Sequence, residues 1–90
     1  MSRVVDNPDR HRYEVYVEDT LAGFAEYRHD GDRIVFTHTE VDPAFEGKGV
    51  GSALAAGALD AVRGRGLRVV PQCPFIAGYL ARHDEYADLR

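Results

Sequence analysis

A single cysteine in 90 residues excludes an internal disulfide, and with histidines elsewhere in the chain it leaves room for a reactive thiol. No apolar run approaches the ~20 residues of a membrane-spanning helix. The opening Met1-Ser2-Arg3-Val4-Val5-Asp6 lacks the apolar core of a signal peptide. These two absences lead to the expectation of a cytoplasmic protein with no membrane partner. Basic charge is also short, since 11 Lys and Arg against 15 Asp and Glu give a net charge of -4 and an isoelectric point near 5.4. Such a balance argues against a nucleic-acid surface. Repeats and low-complexity tracts are missing. Residues 1–90 are enough for one domain, burying about 60% of the unfolded surface, with no room for a separate substrate domain. The remainder, 44% hydrophobic and 29% charged, is an ordinary globular composition.

The first eleven residues, with Asp6-Asn7-Pro8-Asp9-Arg10, show no periodicity and read as a polar, frayed lead-in. From Arg12 to Glu18 the pattern alternates, with Tyr13, Val15 and Val17 on one face and Glu14, Tyr16 and Glu18 on the other, which is a half-buried strand. Leu21 to Arg28 reads as a second strand, in which Gly23 signals a bulge or a close neighbour. His29-Asp30-Gly31-Asp32 is a hairpin signal leading into a third, Arg33 to Val41. Short turns between the three make an antiparallel meander. Period two places Ile34, Phe36, His38 and Glu40 on one side of the third strand and Val35, Thr37, Thr39 and Val41 on the other.

A helix follows from Val50 to Arg65, with Val50, Leu54, Ala58, Ala61 and Val62 along one stripe and Gly57 marking close packing. Gly66 ends it as a C′ glycine. Arg63, Arg65 and Arg68 are open to two readings, cations capping the helix or contacts for a nucleotide phosphate. Leu67 to Gln72 is a fourth strand, made parallel to the third by the helical crossover. Pro74 at a first helical position makes Cys73 the N-cap of a short helix carrying Phe75, Ile76, Tyr79 and Leu80. His83 to Leu89 reads as a capping turn anchored by Tyr86 and Leu89. The fold class is therefore α+β, mixed α/β.

The stretch Val41-Asp42-Pro43-Ala44-Phe45-Glu46-Gly47-Lys48-Gly49-Val50-Gly51-Ser52 joins strand to helix through three glycines at alternate positions. Glycines admit strained backbone angles and let a ligand lie against the amides. The first helical N–H groups have no intrahelical partner and carry the positive end of the macrodipole, which suits a phosphate. A P-loop would need a hydroxyl after Lys48, where Gly49 stands, and a dinucleotide fingerprint would need a longer βαβ unit. Mg²⁺-dependent ATP or GTP binding is thus unsupported.

Glu46-Gly47-Lys48-Gly49-Val50-Gly51 resembles the pyrophosphate arm of the GNAT N-acetyltransferases, Q/R-x-x-G-x-G/A. With Ile34 to Val41, which ends in His38-Thr39-Glu40-Val41, and with Gln72-Cys73-Pro74-Phe75, residues 12 to 89 are similar to the small single-domain members of that family. The resemblance implies a GNAT-like fold, acetyl-CoA as cosubstrate without a metal, and transfer of acetyl to an amine of a small molecule or peptide. Val41, Gly47, Lys48, Gly49, Val50, Gly51 and Ser52 would hold the coenzyme. Glu46 departs from the family's Gln or Arg, and is expected to point away from the pyrophosphate.

Histidine is the side chain whose unperturbed pKa lies near neutrality, which makes His38 the candidate general base, steered by Glu40; alternatively the pair only stabilises a sheet face. Cys73 is open to three readings: a proton source for the departing thiolate, a covalent acetyl carrier, or a buried inert residue. Tyr79 is a reserve acid by family analogy. The rival reading is a CoA-binding module, sensor or adaptor, without catalysis. Monomer and weak dimer both fit the sequence.

Overall fold

A computed structural model describes residues Ser2–Arg90. The alternating pattern after Arg12 becomes strands β2 (Arg12–Val17), β3 (Thr20–Asp30) and β4 (Arg33–Val41). Gly31 closes the β3–β4 hairpin in the left-handed conformation at φ 61°. The expected three-stranded meander has a fourth member. Ser2–Asn7 is strand β1, not a frayed lead-in, and pairs antiparallel with β2 from Ser2 opposite Val17 to Asn7 opposite Arg12. Met1, the start of that expected lead-in, lies outside the described residues. Tertiary packing makes the strand: Val4 sits so close to α1 (Val50–Gly64) that a Cβ on Gly57 would stand 2.6 Å from it. Two adjacent valines among polar neighbours show no period in the sequence.

The apolar stripe of α1 is buried at Val50, Leu54, Ala58 and Val62, with Ala55 and Leu59 beside it. The helix closes as a Schellman turn: the Leu67 N–H donates to the Val62 carbonyl and the Gly66 N–H to that of Arg63. Strand β5 (Arg68–Pro71) then runs parallel to β4, completing the order β1-β2-β3-β4-β5. Helix α2 (Pro74–Arg82) and a 3-10 turn at Asp84–Leu89 finish the chain. Their Ile76, Tyr79, Leu80, Tyr86 and Leu89 join α1, Tyr13, Val15, Ile34 and Phe36 in one hydrophobic cluster. Arg63 donates to the Glu85 carbonyl and Asp88, and Arg68 to the Arg90 carbonyl, tying the C-terminal turn to the end of α1 and to β5. Among the described residues no helix is long and apolar enough to cross a membrane.

Two β-bulges set which side chains face the helices. In β3, Gly23 pairs with Val15 but Leu21 with Tyr16, leaving Ala22 as the extra residue. In β4, His38 pairs with Glu26 but Phe36 with Tyr27, so Thr37 is extra. The second bulge corrects the period-two reading of β4. Ile34 and Phe36 enter the core, but beyond Thr37 the sides exchange. Thr39 and Val41, opposite Ala25 and Gly23, now lie on the core side, while His38 and Glu40 share the other face with Glu26 and Phe24.

Candidate functional site

Strands β4 and β5 part at Phe36. The last paired residues are Phe36 and Pro71, and the Phe36 carbonyl accepts from the amides of both Gln72 and Cys73 at 3.0 Å. Beyond that point β4 runs on to Val41 with no strand partner on that side among the described residues. The Asp42 N–H donates to the Ala22 carbonyl of β3 at 2.8 Å. Alternation along an antiparallel strand therefore turns the amides and carbonyls of Thr39 and Val41 away from β3, into the gap. A cleft of about 400 Å³ fills the gap, lined by Thr39, Val41, Phe45, the loop from Glu46 to Ser52 without Lys48, and Phe75.

The loop forms the outer end of this cleft. Asp42 accepts from the Ala44 N–H at 2.9 Å and starts a 3-10 turn, Pro43–Phe45, that carries the chain off the strand. Gly47 and Gly49 follow with φ 77° and 75°, and Gly49 is the N-cap of α1. A Cβ at either position would meet nothing within 4 Å, so backbone conformation rather than crowding requires glycine there. The space above both is open to a ligand. Gly51 is different, since its missing Cβ makes room for the Phe75 ring, 2.9 Å away. A diphosphate fits this arrangement: three small residues, unpartnered helical amides, and clear space over them. Lys48 turns toward a neighbouring hollow of about 300 Å³ with Ser2, Val17 and Phe45, its Nζ 6.0 Å from the Phe45 ring. Glu46, expected to point away, borders the cleft because its extended backbone runs along the rim.

At the inner end stands Cys73, the N-cap of α2 as expected from Pro74. The thiol is buried, its residue 2% exposed. Its Sγ accepts from the Ile76 N–H at 3.4 Å and lies 3.2 Å from Thr39 Oγ1. His38 and Glu40 are paired, Nε2 to Oε2 at 3.6 Å, with side chains 55% and 60% exposed on the far face of β4. The Phe24 ring lies beside His38 at 6.3 Å and carries the Arg12 guanidinium 4.4 Å above it. A second hollow of about 260 Å³ opens there, among Leu21, Phe24, Glu40, Asp42 and Pro43, and Val41 borders both hollows. Tyr79 is not brought to either. Its ring stacks on His83 at 3.8 Å, and burial, with Glu85 and Asp60 nearby, raises its hydroxyl above the ordinary value.

The sequence reading passed over Thr39, Phe45 and Phe75 as cleft residues. Thr39 and Val41 were legible as sharing a side. The partner of Thr39 across the gap was not, because Cys73 is 34 positions away.

A profile of GCN5-related N-acetyl-transferases matches residues 12–89. The solution structure of a GCN5-like putative N-acetyltransferase from Staphylococcus aureus superposes with a TM-score of 0.74 at 24% identity, over 97% of this chain and 85% of that one. The ribosomal-protein-S18-alanine N-acetyltransferase of Escherichia coli gives 0.61 at 24% identity, over 64% of this chain and 38% of its own. The PaiA N-acetyltransferase of Thermoplasma acidophilum, solved with coenzyme A, gives 0.58 at 17%, over 82% and 48%. These three likenesses carry the fold. No curated protein matches the sequence. With the profile covering most of its length, the chain belongs to the GCN5-related N-acetyl-transferase family.

Proposed function

We propose that the chain is an acetyl-CoA-dependent N-acetyltransferase whose donor cleft is the β4–β5 gap and whose acceptor approaches the opposite face of β4. The observation that carries this reading is the gap itself, a strand edge left unpaired among the described residues from Thr39 to Val41 that leads, through the Pro43–Phe45 turn, to the positive-φ glycines ahead of α1. The amides from Gly47 to Ser52 bind the pyrophosphate, and the freed backbone of Thr39 and Val41 pairs with the pantetheine arm as an added strand would. That places the thioester at the inner end, beside Thr39 and Cys73. Across β4, His38 takes the proton of the attacking amine while Glu40 steadies the imidazolium. Val41 borders both hollows, so donor and acceptor lie on the two sides of one strand. The acceptor is an amine of a small molecule or peptide, the setting the cytoplasm, and the working state a single-domain monomer or weak dimer.

One observation favours a second reading. The His38–Glu40 pair is more than half exposed, so an acceptor is held loosely, as in a CoA-binding module that does not turn over. Calorimetric titration with coenzyme A and acetyl-CoA, followed by acetyl-CoA turnover with a lysine-containing peptide or spermidine, separates the two. Binding together with turnover that His38→Ala lowers at least tenfold supports the enzyme. Binding with turnover at background leaves the module, and absence of heat with either ligand removes both.

A further inference from the structure

The proposed reaction needs a proton for the departing thiolate, and Cys73, for all its placement at the inner end, does not line the cleft. It is 2% exposed and its sulfur is engaged twice, by the Ile76 N–H at 3.4 Å and by Thr39 Oγ1 at 3.2 Å. Thr39, by contrast, borders the cleft directly. Of the other lining side chains, Ser52 lies in the first turn of α1 at the loop end, Glu46 is an acid at the rim, and the remainder carry no exchangeable hydrogen. His38 projects from the opposite face and Tyr79 is stacked on His83.

We propose that Thr39 is the catalytic group that meets the leaving sulfur, and that Cys73 acts through it as a positioning residue and proton store. This rests on the N-acetyltransferase reading. When the tetrahedral adduct breaks its C–S bond, the electron pair goes to the coenzyme sulfur, which takes the hydrogen of Thr39 Oγ1. Oγ1 takes the hydrogen of Cys73 Sγ in the same movement. The resulting thiolate keeps the Ile76 N–H as donor and regains a proton from solvent after release, while the proton collected by His38 goes to solvent, so the cycle balances. A covalent acetyl carrier at Cys73 would require the buried sulfur to abandon both contacts and come out past Thr39.

The test compares Thr39→Val, which keeps the shape and loses the hydroxyl, with Thr39→Ser, Cys73→Ala and the Thr39→Val/Cys73→Ala double variant. Each is assayed for acetyl-CoA kcat and KM with spermidine or a lysine-containing peptide, for coenzyme A affinity by calorimetry, and for folding by thermal unfolding. The relay predicts that Thr39→Val lowers kcat at least tenfold with coenzyme A affinity and KM within about threefold, that Thr39→Ser recovers most of the loss, and that the double variant is no worse than Thr39→Val alone. If Thr39→Val turns over like the parent while Cys73→Ala does not, or if mass spectrometry finds an acetyl adduct on Cys73, the relay is overturned and the N-acetyltransferase reading stands. If the parent binds coenzyme A yet acetylates neither acceptor, or binds none, that reading fails and the relay with it.

Discussion

Glu14 shows how much of this fold depends on side chains whose surroundings come from elsewhere in the chain. It sits on the polar side of β2, yet it is only 4% exposed. Burial pushes its carboxyl upward, but hydrogen bonds from Arg12, Asn7 and Tyr16 outweigh that, with the Arg12 charge adding to them, and the net shift is downward. A lowered folded value contributes stability above the ordinary carboxylate range, and that contribution is lost as pH falls through it, from about pH 5 downward. Glu14→Gln is therefore expected to cost about 1–3 kcal/mol near neutrality and progressively less in acid, measurable by urea unfolding at several pH values. Period two identified the face of Glu14 correctly. It could not show that Arg12 and Tyr16, two residues away on the same face, and Asn7 of β1 would enclose it.

At the scale of elements, the glycines divide by what demands them. Gly49 has a left-handed backbone and open space, Gly57 an ordinary backbone and a neighbour at 2.6 Å, and Gly64 neither constraint. Gly49→Ala should lose about 1–2 kcal/mol through strain alone and weaken coenzyme A binding with it. Gly64→Ala, the same chemical change at the other end of α1, should gain about 0.4–1 kcal/mol by restricting the unfolded chain. Gly57→Ala should lose about 1–3 kcal/mol by overpacking, and Val4→Ala in the same chain should recover part of it, a coupling that a double-mutant cycle in thermal unfolding reads directly. Strands β2 to β4, helix α1 and the N-cap at Cys73 were legible because each carries its own local signal: alternation, a stripe, a proline at the first helical position. Strand β1 carries none. It exists because β2 offers a free edge and Gly57 a seat for Val4.

Over the whole molecule, the two hollows lie on opposite sides of one strand and share Val41. Amide shifts in an NMR titration should therefore separate by ligand. Coenzyme A is expected to move Thr39, Val41 and the loop from Gly47 to Ser52, and a cationic amine Phe24, Glu40 and Asp42; overlapping sets would contradict the assignment of two faces. The loop could be found from its glycines and Cys73 from its proline. The division of β4 between the faces could not, because a bulge depends on how β3 registers against β4 and leaves no mark in the strand's own residues.

Thr37 is thus a comma in the strand, and reading through it without the pause would change the sense of everything after it. Its side chain is exposed and offers only a 3.4 Å contact to the Glu26 carbonyl, so replacing it with Ser or Val should leave the protein nearly as it was. Excising it would make Phe36 and His38 consecutive pairs and keep both faces. Drawing it into the ladder is another matter: with Thr37 paired in step the count would shift by one, His38 and Glu40 would turn inward against the helices, and the imidazole and the thiol would end on the same side of the sheet, with nothing left to greet an incoming amine.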